Sequence, residues 1–157
     1  MKVAFVLYTY FPYGGVQRDF LKIARECLLR GHGVSVYTMS WEGDVPDGFD
    51  VVLLKKRGLS NHRRCLNFSN DVRDLELSSR FDVVVGFNKV TGLDAYFAAD
   101  PCYASKALQQ RSCFYRMSAR YQVYADLERD VFKVGGKAQV ILLNPAEQEN
   151  FEEHYQT

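Results

Sequence analysis

Apolar and polar positions alternate along the chain in a pattern that predicts strands followed by helices. Residues 3–7 are an unbroken apolar run, which is typical of a strand that helices cover on both faces. A turn-rich loop at 10–15 follows, and apolar residues at helical spacing then predict a helix over about 16–30, closed by Gly31. Residues 34–38 are the second strand and complete a βαβ unit.

The rest of the chain continues this alternation. Further strands are predicted at 50–54, 82–87, 95–98 and 138–143. Helices are predicted at 67–79, 103–132 and 146–155, and a polar surface loop at 61–64. Because parallel strands need crossover connections, the alternation predicts an α/β fold with a Rossmann-like, doubly wound parallel sheet. Ligands bind such sheets beyond the carboxyl ends of the strands, which selects the loops after Tyr8, Thr38, Gly86 and Ala98.

Composition narrows the class of protein. A chain of 157 residues has room for about one domain, and 47% hydrophobic with 25% charged residues is typical of a globular protein. The net charge of +1 gives no overall attraction to nucleic acid, and the apolar runs are too short to span a bilayer. The four cysteines form no CxxC pair and no signal peptide precedes them, so we expect buried, reduced thiols in a cytosolic chain. The three scattered histidines predict no zinc site.

The first candidate site is the loop before the first helix, which contains Gly14 and Gly15. Two glycines allow a ligand close to the backbone, and the helix start offers free N–H groups and partial positive charge, which suits a phosphate or a sugar. Val16, Gln17 and Asp19 follow in the first turns. A plain tight turn is the simpler interpretation, and the GxGxxG fingerprint of dinucleotide sites is missing.

The second candidate site combines residues 86–89 with Asp100, at two strand ends. A carboxylate there could orient a sugar hydroxyl or accept a proton. Asp100 before Pro101 is also a good signal for the N-cap of a helix, and spacing alone favours that interpretation.

The third candidate is the stretch 102–125, which has no Asp or Glu and mixes cations with aromatic residues. Such a helix is typical of a segment that lies on an anionic membrane surface. Packing of the apolar stripe on the sheet is the alternative, and the low net charge counts against nucleic acid. The residues predicted to contact the membrane are Lys106, Arg111, Phe114, Tyr115, Arg116, Arg120, Tyr121 and Tyr124.

Together these motifs resemble the lipopolysaccharide core glucosyltransferase I family, of glycosyltransferase family 4. The resemblance is carried by residues 3–5, 10–20, 30–32, 37–44, 85–89, 92–103 and 154–157, and it is weakest over 46–80. It implies that residues 1–157 are the N-terminal, Rossmann-like domain of a GT-B enzyme, with the C-terminal nucleotide-sugar domain absent from this chain. The isolated domain is then expected to be inactive.

The resemblance also implies a reaction. Enzymes of this family transfer glucose from UDP-glucose to a heptose of the lipopolysaccharide inner core, with retention of configuration and without a metal or other cofactor. It implies that Gly14 and Gly15, with Val16 and Gln17, contact the donor, and that Asp19 and Asp100 lie near the transferred sugar or the acceptor. The stretch over 102–132 is associated in the family with docking on the cytoplasmic face of the bacterial inner membrane.

Two other hypotheses remain open. One is a stand-alone Rossmann-like domain that binds a nucleotide cofactor, as in a small reductase. The missing GxGxxG motif and the absence of an acidic residue at the end of the second strand count against it. The other is a non-catalytic membrane-surface module. For the isolated domain it predicts the same behaviour as the glycosyltransferase hypothesis does, namely membrane binding without transferase activity.

Overall fold

The fold is a single parallel sheet with helices on both faces. The computed structural model describes residues 1–155, so Gln156 and Thr157, which end the last motif of the family resemblance, lie outside it. Within that range the strands are β1 (Lys2–Val6), β2 (Gly33–Thr38), β3 (Phe49–Leu53), β4 (Val83–Gly86), β5 (Ala95–Ala98) and β6 (Gln139–Leu142). Every pairing between neighbouring strands is parallel, in the order β3-β2-β1-β4-β5-β6. The predicted fold class and the six strands are therefore confirmed.

Five α-helices connect these strands or pack beside them in the described residues. They are α1 (Gly15–Leu29), α2 (Asn61–Asp74), α3 (Tyr103–Gln110), α4 (Ala119–Phe132) and α5 (Gln148–Tyr155). Short 3-10 turns lie at Leu77–Ser79, Cys113–Met117 and Pro145–Glu147.

Strand β1 places apolar side chains on both faces of the sheet, as its unbroken apolar run predicts. Phe5 and its neighbours Val3 and Leu7 belong to the core layer beneath α1, where Phe5 meets Phe20 edge to face at 5.7 Å. Ala4 and Val6 belong to the opposite layer, which α2, α4 and α5 cover. Two buried layers explain why the central strand has no polar residue between Val3 and Leu7.

The prediction of a surface loop at 61–64 is wrong, because these residues are the first turn of α2. The turn is polar because it lies mostly on the surface, and the buried side of the helix begins only with Cys65 and Phe68. The predicted end at residue 79 is also too late. The helix ends at Asp74, and Glu76 then takes a left-handed backbone (φ 47°) that starts the 3-10 turn.

The single long helix predicted over 103–132 is two helices with a 3-10 turn between them. Arg111 has an extended backbone (φ −127°, ψ 153°), which ends α3. Ser118 then caps α4, because its Oγ accepts a hydrogen bond from the Tyr121 N–H at 3.2 Å. A serine before a helical run is an N-cap signal in the sequence, and it indicates this boundary.

The strand order reverses at β1. This strand pairs with β2 on one side and with β4 on the other, so the loops after β1 and β4 diverge to opposite faces of the sheet. A crevice forms at such a switch point, beyond the carboxyl ends of the strands. In this fold class a ligand site is therefore expected at the edge of the sheet where Leu7 and Phe87 lie.

Candidate functional site

A cavity of about 320 Å³ lies at this switch point. Its walls come from the loops after β1, β4 and β5 and from the helices α3 and α4. The lining residues are Tyr8, Asn88, Lys89, Asp100, Pro101, Tyr103, Lys106, Arg120, Tyr124 and Leu127. We call this cavity the strand-end pocket.

Hydrogen bonds join the loop after β1 to the loop after β4. The Tyr8 N–H donates to Asn88 Oδ1 at 2.7 Å, and the Tyr8 hydroxyl donates to the Lys89 carbonyl at 2.8 Å. Burial raises the pKa of Tyr8 well above its usual value, with a smaller contribution from the nearby Cys65 thiol. The phenol therefore stays protonated and keeps its donor role across the physiological pH range.

A buried carboxylate, Glu128 of α4, supports the wall of the pocket. It accepts hydrogen bonds from the N–H groups of Tyr103 (2.7 and 2.8 Å) and Ala104 (3.1 Å), which are at the start of α3 and have no partner inside the helix. The Tyr155 hydroxyl also donates to it at 3.1 Å. Lys89 balances its charge, with Nζ 3.0 Å from Glu128 Oε1.

Sequence reasoning missed Glu128. One feature of the sequence could have indicated its role. Glu128 is the acidic residue on the apolar side of α4, between Leu127 and Val131, where a charged side chain must be buried and needs a partner. Lys89 also donates to the Pro101 carbonyl at 3.1 Å, so the pair holds the loop after β5 in position.

The interpretation of Asp100 as a helix N-cap is wrong. Cys102 occupies the N-cap position of α3, and the first N–H groups of that helix bond to Glu128 instead. Asp100 is exposed and lines the strand-end pocket, where its carboxylate is available to a ligand. Asp19, the other predicted acidic residue, is half-buried on α1 and is not among the lining residues, so this cavity does not bring the two together.

The two glycines at the start of α1 differ in their surroundings. A Cβ on Gly14 would lie 1.8 Å from Gln17 Oε1 and 2.9 Å from the Phe11 ring, whereas a Cβ on Gly15 would meet nothing within 4 Å. Gln17 is in turn bonded to the Thr9 carbonyl at 3.3 Å. Gly15 therefore borders open space, and the space beside Gly14 is filled by the protein.

No side chain caps the N-terminus of α1, where Gly14 is the N-cap residue. Val16 is partly buried against the core beneath α1. The first N–H groups of α1 therefore have no acceptor from an N-cap side chain, and a ligand at this helix start stays a prediction.

The loop after β1 is fastened to the loop after β2 by an aromatic pair. Tyr10 and Trp41 stack with ring centroids 3.9 Å apart, and their backbones form a parallel bridge. The Tyr10 N–H donates to the Ser40 carbonyl at 2.9 Å, and the Glu42 N–H donates to the Tyr10 carbonyl at 3.0 Å. Tyr10 therefore extends the parallel pairing of the sheet beyond the ends of β1 and β2.

The residues predicted to contact a membrane divide between two surfaces. The 3-10 turn projects Phe114 (77% exposed) and Met117 (76% exposed) into solvent, together with Arg116. The tyrosines turn inward: the Tyr103 and Tyr115 hydroxyls are 2.8 Å apart, and Tyr121 stacks on Tyr103. Lys106, Arg120 and Tyr124 line the strand-end pocket, and Arg111 lies over the Tyr115 ring.

The predictions about metal sites, membrane spans and cysteines can be compared with the structure. No group of three His, Cys, Asp or Glu residues in positions 1–155 is arranged to hold a metal ion. None of the helices described is long and apolar enough to cross a membrane. Cys65 and Cys102 are buried as expected, but Cys113 is exposed on the 3-10 turn and Cys27 is only partly covered, so the prediction of buried thiols is wrong for these two.

Comparisons with known proteins place these features in context. No protein-family model matches the chain. The lipopolysaccharide glucosyltransferase WaaG of Escherichia coli (strain K12) is 45% identical over 157 residues, which are 100% of this chain and 42% of WaaG. A crystal structure of WaaG, a glycosyltransferase involved in lipopolysaccharide biosynthesis, superposes with a TM-score of 0.94 at 45% identity over 99% of this chain and 42% of that one.

The chain thus spans less than half the length of the relative that it matches. Its whole length nonetheless aligns in both sequence and fold, which confirms the resemblance seen in the motifs. The chain is therefore a homologue of the N-terminal part of the lipopolysaccharide glucosyltransferase WaaG.

Proposed function

We propose that this chain is the acceptor-side, N-terminal domain of a retaining glycosyltransferase that transfers glucose from UDP-glucose to an inner-core heptose of lipopolysaccharide. The observation that carries the proposal is the match to WaaG at 45% identity over all 157 residues. The strand-end pocket supports it, because a sugar-sized cavity lies where this fold class binds its ligands.

The transfer itself needs few groups from this domain. The bond between the glucose C1 and the β-phosphate oxygen breaks, and UDP leaves with the electron pair. The acceptor hydroxyl oxygen bonds to C1 on the same face, and its proton passes to the departing diphosphate. Asp100, exposed in the pocket, orients the acceptor hydroxyl, and the open side of Gly15 admits the donor.

A C-terminal domain, on the other side of the cleft between the two domains, holds the uridine and makes most of the diphosphate contacts. Neither Asp19 nor Asp100 is proposed as a nucleophile. We propose a transfer without a metal ion.

We further propose that the domain docks on the cytoplasmic face of the inner membrane, where its lipid-linked acceptor resides. Phe114 and Met117 insert between lipids, and Arg116 contacts anionic headgroups beside them. Each cation close to such a surface contributes about 1 kcal/mol.

The direct test measures glucose transfer by two proteins. One is the 157-residue chain alone, and the other is the same chain joined to the remainder of WaaG in place of the matching part. With UDP-glucose and heptose-terminated lipopolysaccharide, the joined protein should transfer glucose, also in the presence of EDTA, and the chain alone should not. A well-folded joined protein without transfer would contradict the proposal, and binding of NAD(P)H by the chain alone would favour a nucleotide-cofactor domain instead.

A further inference from the structure

The strand-end pocket does not stop at the sheet edge. A second cavity, of about 210 Å³, lies between α3 and the 3-10 turn. It shares Tyr103, Lys106 and Arg120 with the strand-end pocket and adds Arg111 and Tyr115. The two cavities therefore adjoin, and we call them together the α3–α4 groove. It leads from the carboxyl edge of the sheet toward the exposed turn at Cys113–Met117.

Three cations border this groove with no acidic partner. Lys106, Arg111 and Arg120 are all exposed, and none of them forms an ion pair with any residue in 1–155. Lys89 differs, because its ammonium group is paired with the buried Glu128. Asp100 is the one carboxylate among the residues that line the two cavities, so the groove carries a local positive charge although the whole chain is close to neutral.

The floor of the groove is aromatic and held in place by internal contacts. Tyr103 meets Tyr124 edge to face at 5.3 Å, and its hydroxyl is 2.8 Å from that of Tyr115. Burial raises the pKa of Tyr124 to about 12, so its hydroxyl remains a neutral donor. Rings of this kind present an apolar face to the C–H groups of a sugar, and their hydroxyls bond to its oxygens.

Cations and tyrosines in one depression suit a charged saccharide better than a lipid bilayer. Lipid contact requires side chains that project outward, as Phe114 and Met117 do, whereas Lys106, Arg120 and Tyr124 surround a concave space. The arginines are also preoriented, with Arg111 lying 5.4 Å over the Tyr115 ring and Arg120 5.9 Å over the Tyr124 ring. Guanidinium groups held in this way bind phosphate or carboxylate oxygens in pairs.

We propose that the α3–α4 groove binds an anionic sugar of the acceptor, a unit that carries a phosphate or carboxylate and lies beside the sugar that receives glucose. The inference rests on the proposed function and refines it. Five residues that the sequence predicts to contact the membrane are instead assigned to acceptor recognition: Lys106, Arg111, Tyr115, Arg120 and Tyr124. The lipid contacts are then made by Phe114, Arg116 and Met117.

The test separates the two surfaces with two variants of the 157-residue chain. The groove variant is Lys106→Ala with Arg120→Ala, and the outer variant is Phe114→Ala with Met117→Ala. Each is titrated with the deacylated core oligosaccharide of lipopolysaccharide, which keeps its charges but has no lipid, and with anionic phospholipid vesicles. We expect the groove variant to bind the oligosaccharide at least tenfold more weakly than the parent does, and to bind vesicles with an affinity within about threefold of the parent's. The outer variant should bind vesicles at least tenfold more weakly and the oligosaccharide within about threefold of the parent.

A charge-matched control excludes a general electrostatic effect. Lys22→Ala with Arg25→Ala removes the same two charges from the exposed side of α1 and should leave oligosaccharide binding unchanged. Thermal unfolding of all variants checks that each domain remains folded. Equal loss of oligosaccharide binding in the control and groove variants would overturn the inference.

Two further outcomes would also overturn it. If the groove variant loses vesicle binding and keeps oligosaccharide binding, the cations serve the membrane. If it loses affinity for UDP-glucose alone, they hold the donor diphosphate. The proposed function is judged separately by glucose transfer in the joined protein, so transfer that is unaffected by the groove substitutions would reject only the groove.

Discussion

The ammonium group of Lys89 lies 3.0 Å from the carboxylate of Glu128, a side chain with no exposed surface. One end of the pair belongs to the loop after β4 and the other to α4, so the contact joins the sheet to the helices that carry the basic residues. Glu128 also receives the first N–H groups of α3. The shape of the strand-end pocket therefore depends on one ion pair.

Glu128→Ala should lower the free energy of unfolding by about 3–5 kcal/mol, because it leaves Lys89 without its partner and the N–H groups of α3 without an acceptor. Urea unfolding followed by circular dichroism measures the change. Glu26→Ala is the matched control, since it breaks the exposed ion pair with Arg30 (2.7 Å) and should cost less than about 1 kcal/mol. A loss below about 1 kcal/mol for Glu128→Ala would show that the pair has no structural role.

Gly15→Ala should separate stability from activity. The added methyl meets no atom of the protein, and alanine is the better helix former, so unfolding should become up to about 1 kcal/mol less favourable. In the joined protein the methyl enters the space assigned to the donor, and we expect KM for UDP-glucose to rise at least tenfold. The measurement pairs thermal unfolding with initial rates, and an unchanged KM would remove Gly15 from the donor site.

Gly14→Ala is the contrasting variant. Its methyl collides with the side-chain amide of Gln17 and with the Phe11 ring, so these side chains must move and Gln17 gives up its hydrogen bond to the Thr9 carbonyl. We expect a small loss of stability, which urea unfolding measures, where Gly15→Ala gives a gain.

Alkaline pH should destabilise the domain partly through Cys102. Burial raises the pKa of this thiol from 9.0 to about 11. Between these values the unfolded thiol ionises while the folded thiol stays protonated, so the free energy of unfolding is unaffected below about pH 9 and falls as the pH rises toward 11. Cys102→Ala removes this contribution, and the fall measured by urea unfolding at pH 8 to 11 should be shallower. Parallel pH profiles for the parent and the variant would contradict the assignment.

Anionic vesicles should bind the domain in a salt-sensitive manner through the exposed 3-10 turn. Phe114→Ser with Met117→Ser should abolish co-sedimentation, because these side chains supply the apolar contact, and salt should weaken binding of the parent by screening Arg116. Leu29→Ser is the control, since Leu29 is an 83% exposed apolar side chain at the C-terminal end of α1, outside the 3-10 turn, and its loss should have no effect.

Cys113 offers an independent measurement of the same contact. It is exposed within the turn, so a maleimide should label it, and bound vesicles should slow that labelling. Labelling at the same rate with and without vesicles would contradict docking through this turn.

Local patterns were enough to predict the sheet, because buried parallel strands are recorded in the sequence as unbroken apolar runs such as residues 3–7. They failed at two helix boundaries for different reasons. The break after Gln110 has a local signal, the N-cap Ser118, which the continuous helical spacing of 103–132 masked. The start of α3 depends on a distant contact, because Glu128 is 25 residues from Tyr103. The position of Asp100 before Pro101 therefore predicted an N-cap for α3, whereas in the fold Asp100 lines the strand-end pocket.

The same reason limited the site prediction. The sequence places cations and aromatic residues together in 102–125, but their division between a concave and a convex surface follows from the 3-10 turn that separates α3 from α4. The two adjacent glycines also look alike in the sequence, and only the fold shows that Gln17 and Phe11 fill the space beside Gly14 while the space beside Gly15 is open.

The stacked pair of Tyr10 and Trp41 gives the chain an optical reporter of its own. Trp41 is the one tryptophan in the sequence, and it lies at the fixed end of the loop that leads to Gly15. Any rearrangement that separates the two rings would change the polarity around the indole and so shift its fluorescence emission. A movement of the 10–15 loop that separates the two rings can therefore be followed by stopped-flow fluorescence on the unlabelled protein.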